Sequence, residues 1–177
     1  RKLRANQADE ETLRFHYENF GPPGTVAKEE HVSDLDLTLV TFANDARLNL
    51  RPTTFEPQRF RLRVVFPQNY SDLPPAAGGV SDLAGLILLS SNLRKQTQAE
   101  IGRLLKLRGV TPQFTVNNGT PVFSISGPSG QLGFGLQFLT ALLSNLDLDQ
   151  DHYRAALSRS AGQHQNMLST PGLFALR

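Results

Sequence analysis

Apolar and polar positions begin to alternate at Leu37, where Leu37, Leu39 and Thr41 share one side of an extended segment. Asn44-Asp45 then supplies a tight turn of residues that tolerate positive φ. The return strand is Ala46 to Arg51, with Leu48 and Leu50 expected inward and Arg47, Asn49 and Arg51 outward. The next segment places Phe60, Leu62, Val64 and Phe66 on one face and Arg59, Arg61 and Arg63 on the other, the pattern of a half-buried antiparallel strand. Pro74-Pro75 and Gly78-Gly79 precede an apolar helix over Val80 to Ser91. A second helix opens at Thr97-Gln98-Ala99-Glu100, a capping box, and closes at Arg108-Gly109. Two strands flank Asn118-Gly119, a hairpin turn signal, with Phe114, Val116, Phe123 and Ile125 expected inward. After Gly127-Pro128-Ser129-Gly130, Leu132, Leu136, Leu139 and Leu143 recur at spacings of four, three and four, which predicts an amphipathic helix. A shorter helix follows Asp149 through Tyr153, Ala156 and Leu157.

The order is three strands, two helices, two strands and two helices, which predicts an α+β fold with a mainly antiparallel sheet covered by helices on one face. Residues 1 to 35 read differently: they are charged, broken at Gly21-Pro22-Pro23-Gly24, and carry Phe15, Tyr17 and Phe20 just before the break. The expected organisation is an arm or interdomain linker over 1–35, pinned by its three rings, and a domain over 36–177.

Composition narrows the chemistry. The 177 residues include no cysteine, so disulfides, thiolate metal sites and cysteine nucleophiles are excluded. No run approaches the ~18 apolar residues of a membrane helix, and no membrane partner is expected. Residues 1 to 45 hold nine acids against five Lys/Arg, and residues 46 to 177 hold seven against thirteen. The arm is therefore acidic and the remainder basic, which favours the arm lying against the body over a dedicated nucleic-acid surface.

The phrases that carry most information are Phe20-Gly21-Pro22-Pro23-Gly24, Thr41-Phe42-Ala43-Asn44-Asp45-Ala46-Arg47-Leu48-Asn49-Leu50-Arg51-Pro52-Thr53, and Gly79-Val80-Ser81-Asp82-Leu83-Ala84-Gly85-Leu86. With the helix from Thr97 to Gly109 and Leu136-Gln137-Phe138-Leu139 after the second hairpin, they follow one order. In that order and phrasing the chain resembles the pitrilysin/insulinase-type zinc metallopeptidases over residues 15 to 170. An active domain of that family carries H-x-x-E-H on its first helix, with a further Glu downstream completing the zinc site. Aligned on Gly79, Asp82 falls at the first His, Gly85 at the Glu that serves as general base, and Leu86 at the second His. No His lies between His31 and His152, and Glu100 is the last glutamate.

The resemblance implies a degenerate peptidase domain, with no catalytic, cofactor or metal residues of its own. Zinc is expected in the catalytic half of the parent protein, and that half, in the same or a partner chain, is the expected partner together with peptide substrate. Two other readings stand beside it: a scaffold or assembly subunit with this fold, and nucleic-acid binding through an outer sheet face carrying Arg47, Arg51, Arg59, Arg61 and Arg63. RNA-reading sheets interleave aromatics with their basic residues; here Phe60 and Phe66 sit on the opposite face, so no nucleic-acid partner is expected. The chain starts without a Met and stops at Leu176-Arg177, short of the helix and strand with which family domains continue, which reads as a piece of a longer polypeptide.

The remaining motifs favour structural roles. His16, His31, His152 and His164 include no pair at i, i+4. Asp147-Leu148-Asp149-Gln150-Asp151 resembles the first half of a calcium loop, but His152 stands at the glycine and Ser158 at the closing glutamate, so a helix N-cap is expected. Gly130, Gly133 and Gly135 lack the Lys and Ser/Thr of a phosphate loop and read as a helix start and close-packing positions. Ser81, Ser90 and Ser91 have no His within forty residues, so a serine nucleophile is unsupported.

Overall fold

The computed structural model describes residues 13–66, 80–117, 120–148 and 150–169. It is α+β, as the residue pattern predicts, and divides into two compact units: Asn19–Arg59, and residues 13–18 together with those from Phe60 onward.

The smaller unit is an antiparallel sheet in the order β1 (Val26–Val32), β2 (Leu37–Phe42), β3 (Arg47–Leu50). Its β2–β3 turn has a three-residue loop. The Phe42 amide donates to the Ala46 carbonyl at 2.9 Å, the Asp45 amide to the Phe42 carbonyl at 3.0 Å, and Asp45 sits at φ 64°. Asn44 Oδ1 accepts from the Ala46 amide at 3.2 Å, so the turn residues do what their types predict.

Two expectations need correction here. Strand β1 lies inside the stretch read as an arm. Its sequence, Val-Ala-Lys-Glu-Glu-His-Val, has no apolar alternation, and it is extended because it pairs with β2 from Lys28↔Thr41 to Val32↔Leu37. Leu48 and Leu50 do not face inward: they are 40% and 54% exposed. Strand β3 is an edge strand, and its own unit contains no α-helix to cover that face.

The larger unit is built on a three-stranded sheet in the order β4 (Arg59–Val65), β7 (Thr120–Pro128), β6 (Thr111–Asn117). Central β7 carries the two most enclosed sheet residues, Phe123 and Ile125. The β6–β7 register runs from Thr111↔Ser126 through Phe114↔Phe123 to Asn117↔Thr120, which leaves only Asn118 and Gly119, outside the described residues, to join the strands. Pro112, Phe114, Phe123 and Ile125 therefore share one face. On that face lie helices α1 (Val80–Ser90), against Phe114, and α3 (Leu132–Ser144), against Ile125. Phe60, Leu62, Val64 and Phe66 pack on the same core.

Helix α2 (Gln98–Arg108) begins with the capping box read from the sequence. Thr97 Oγ1 accepts from the Glu100 amide at 3.3 Å, and Glu100 Oε2 accepts from the Thr97 amide at 2.8 Å. Gly109 ends it at φ 64°, its amide donating back to the last-turn carbonyls. Helix α3 is helical as expected but rotated. Phe134, Phe138, Leu139, Ala141 and Leu142 are buried, while Leu132, Leu136 and Leu143 of the expected stripe are exposed. Both faces of this helix are apolar, and the face with two Phe rings and Gly135 fits closer to the sheet. At Gly135 an added Cβ would lie 2.8 Å from Phe60 Cζ.

Helix α4 (Gln150–Ser169) is longer than expected, with 20 residues. Its second half is polar and gives no apolar period, but it contains no proline to stop it. Ala156 is buried, whereas Tyr153 and Leu157 are exposed. A two-residue ladder, β5 (Asn92–Leu93) with β8 (Leu146–Asp147), is too short to leave any period in the sequence. Of the three arm rings, Phe15 and Tyr17 are buried in this unit at 4% and 5% exposure, and Phe20 is not.

The packing at α3 predicts opposite outcomes for two glycines one turn-half apart. Gly133→Ala meets open space and is expected to be neutral or stabilising by up to about 1 kcal/mol. Gly135→Ala is expected to destabilise by about 1–3 kcal/mol despite the same propensity gain, both read from urea midpoints. At α2, Thr97→Ala is expected to lose about 0.5–2 kcal/mol. The Glu100 carboxyl is held below its ordinary value by the Thr97 amide first and the Thr97 hydroxyl second. A depressed acid stabilises above its unfolded pKa and loses that contribution as pH falls through its folded value. The stability advantage of the native chain over Glu100→Gln should therefore shrink as pH falls below the ordinary glutamate range, measured by denaturant titration.

Candidate functional site

Asp82, Gly85 and Leu86 fall at i, i+3 and i+4 of α1 and so share one side of it. The Asp82 side chain lies outside what is described. Gly85 is the informative position. A Cβ added there would stand 2.8 Å from Phe114 Cδ1 on β6, closer than side-chain carbons approach. The Phe114 ring thus fills the room that the first atom of any side chain at this position would need. Leu86 is half-buried, and its carbonyl accepts from Ser90 Oγ at 2.5 Å.

A catalytic zinc takes three protein donors from N, O or S and leaves a position for water. Gly85 and Leu86 have no side-chain donor, and Gly85 has no space for one. These residues do not fit the ion, and no step is derived through it. Among the described residues no group of three His, Asp or Glu is placed to hold a metal.

The other candidate residues are spread over both units and several elements. His16 lies in the larger unit, its Nδ1 at 3.2 Å from the Lys95 carbonyl, and His31 in the smaller, its Nδ1 at 3.4 Å from Thr38 Oγ1. The side chains of His152 and His164 lie outside the description. The arginines are spread over two sheets: Arg47 is on β3 of one and Arg59, Arg61 and Arg63 on β4 of the other. Between them the chain turns through an irregular stretch in which Gln58 adopts φ 60°. The acidic run at Asp147 ends β8 and leads into α4 at Gln150, the place of a helix start. Of the three glycines, only Gly135 is a close-packing position.

Ser90 is tied to its own helix, as its hydrogen bond shows. Ser91 is buried and its Oγ has no hydrogen-bond partner among the described residues. It lines a cavity of about 30 Å³ with Leu88, Ile101, Leu105, Phe138 and Leu142. That is room for about one water and no reactant, and the lining contains no base. Two features of the larger unit have no signal in the sequence pattern: Phe114 as the residue opposing Gly85, and a buried Gln96. A half-buried Phe on a strand and one polar side chain in a turn look ordinary until their neighbours are known.

No known protein-family profile matches the sequence, and no curated protein does. Solved structures do match. The periplasmic protease PqqL from Escherichia coli superposes with a TM-score of 0.70 at 18% identity, over 88% of this chain and 17% of that one. The ferredoxin protease FusC, solved in complex with Arabidopsis ferredoxin, superposes at 0.70 and 12% identity, over 91% and 18%. A protease from Helicobacter pylori superposes at 0.57 and 10% identity, over 81% and 31%. The chain has a protease-related fold and spans less than a fifth of the first two proteins.

The Gly85 contact predicts that Gly85→Ala destabilises by about 1–3 kcal/mol through overpacking, against a helix-propensity gain of about 1 kcal/mol. In a Phe114→Leu background the penalty should shrink. The check is a double-mutant cycle on urea midpoints, in which purely additive effects would place the Phe114 ring elsewhere.

Proposed function

We propose that the chain is a non-catalytic domain of a pitrilysin-type zinc metallopeptidase, shaping the substrate chamber and supporting a catalytic half that carries the zinc. The observation that carries this reading is the pair Gly85 and Phe114. At the position of the general base there is neither a carboxylate nor room for one, and Leu86 offers no ligand beside it. A metal-activated water also needs a base within hydrogen-bond reach, which neither Gly85 nor Leu86 supplies. The likeness to PqqL and FusC supports the protease context, and the small share of those chains that is spanned fits a domain acting as one part of a larger enzyme. Peptide substrate would be met at the surface facing the catalytic half.

Two measurements test it. Native mass spectrometry with an equimolar zinc salt should show no stoichiometric ion, and the domain alone should leave unstructured peptides uncut; tight zinc bound near Asp82 overturns the reading. Sequencing of the surrounding genes should find an H-x-x-E-H domain in the same reading frame or in one encoded beside it. Genes holding no such domain would favour assembly without proteolysis.

A further inference from the structure

Residues 13–18 cross the larger unit as an irregular segment with a bend at His16, and one buried side chain grips their backbone. Gln96 is 4% exposed. Its Oε1 accepts from the His16 amide at 3.0 Å, and its Nε2 donates to the Arg14 carbonyl at 2.9 Å. A carbonyl at one residue and an amide two residues on are the pair that a neighbouring strand satisfies in a parallel ladder. The side-chain amide of Gln96 has the same donor and acceptor as a peptide unit and stands in for that strand.

Lys95 adds to the grip. Its backbone amide donates to Tyr17 Oη at 2.7 Å, its carbonyl lies 3.2 Å from His16 Nδ1, and its ammonium sits 5.7 Å above the Tyr17 ring. Phe15 meets Phe134 edge-on at 5.3 Å and Tyr17 at 5.5 Å. The turn that presents Lys95 and Gln96 is itself fixed, by reciprocal bonds between Leu93 and Gln96 at 2.9 and 3.0 Å. A grip held in shape by the fold loses little entropy on closing.

The two kinds of contact divide recognition between them. Gln96 reads backbone and is indifferent to side chains, whereas the aromatic positions at i and i+2 select sequence. We propose that this groove, between the Leu93–Gln96 turn and α3, is a binding site for peptide segments with an aromatic-x-aromatic pattern, filled here by Phe15-His16-Tyr17 of the chain itself. The inference does not rest on the peptidase reading, since no residue of α1 takes part.

The test uses a fluorescent peptide of residues 13–19 and the full chain carrying Phe15→Ala and Tyr17→Ala, which removes both rings from the groove and leaves the tethered segment held only by its backbone bonds. Anisotropy should show saturable binding to this variant. Binding should be about tenfold weaker when Gln96→Leu is added, the equivalent of two net hydrogen bonds of modest strength. It should also be weaker in the unaltered chain, whose tethered segment competes at high effective concentration. Equal binding to the unaltered chain and the variant, indifference to Gln96→Leu, or no binding to a folded variant would overturn the proposal. Should the double variant fail to fold, Tyr17→Phe keeps the ring and removes only the hydroxyl bonded to Lys95. That chain should bind the peptide more tightly than the unaltered one, and equal affinity overturns the proposal as well.

Discussion

Everything about the candidate site follows from how closely α1 approaches β6. At Gly85 only a hydrogen separates the helix backbone from the Phe114 ring, and in a close-packed interior such a fit cannot be widened without displacing its neighbours. An enzyme that places a base and ligands on this turn needs the opposite arrangement, an open space between helix and sheet. A helix position can serve packing density or chemistry, and at Gly85 the backbone is packed against a ring. The same logic operates at Gly135, where α3 approaches Phe60, so two helices are set on the sheet by the absence of a side chain.

What the residues disclose in advance depends on whether a physical signal is local. The Thr97 capping box, the Gly109 stop and the Asn44-Asp45 turn are made by neighbours in sequence, and each is found where its residue types place it. Strand β4, with its strict alternation, is equally legible. Strand β1 is not, because its extended form comes from pairing with β2 rather than from its own polar residues. The rotation of α3 is hidden for a related reason. Its leucine stripe and its phenylalanine face both satisfy a helical period, and the choice between them is made by which side accommodates the sheet. For the candidate site, it can be read directly that Gly85 and Leu86 carry no side-chain donor. The occupation of their space by Phe114 lies across more than twenty residues of chain and needs the fold.

The segment at Phe15 shows a different division of labour. Its rings mark it as something that docks, and two of them are buried, yet the group that holds its backbone is a glutamine in a turn some eighty residues away. Buried amides are costly unless both ends are bonded, and Gln96 is bonded at both. In the proposed groove this doubly bonded amide is the element that reads backbone.

The central claim, that this helix is packed where an active relative would be open, is tested most directly by proton NMR of the chain with and without equimolar zinc. The account predicts strong cross-peaks between the Gly85 α-protons and the Phe114 ring, ring-current-shifted Gly85 resonances, and no change in either on adding the ion. Absent cross-peaks, or α1 resonances that move with zinc, would contradict it.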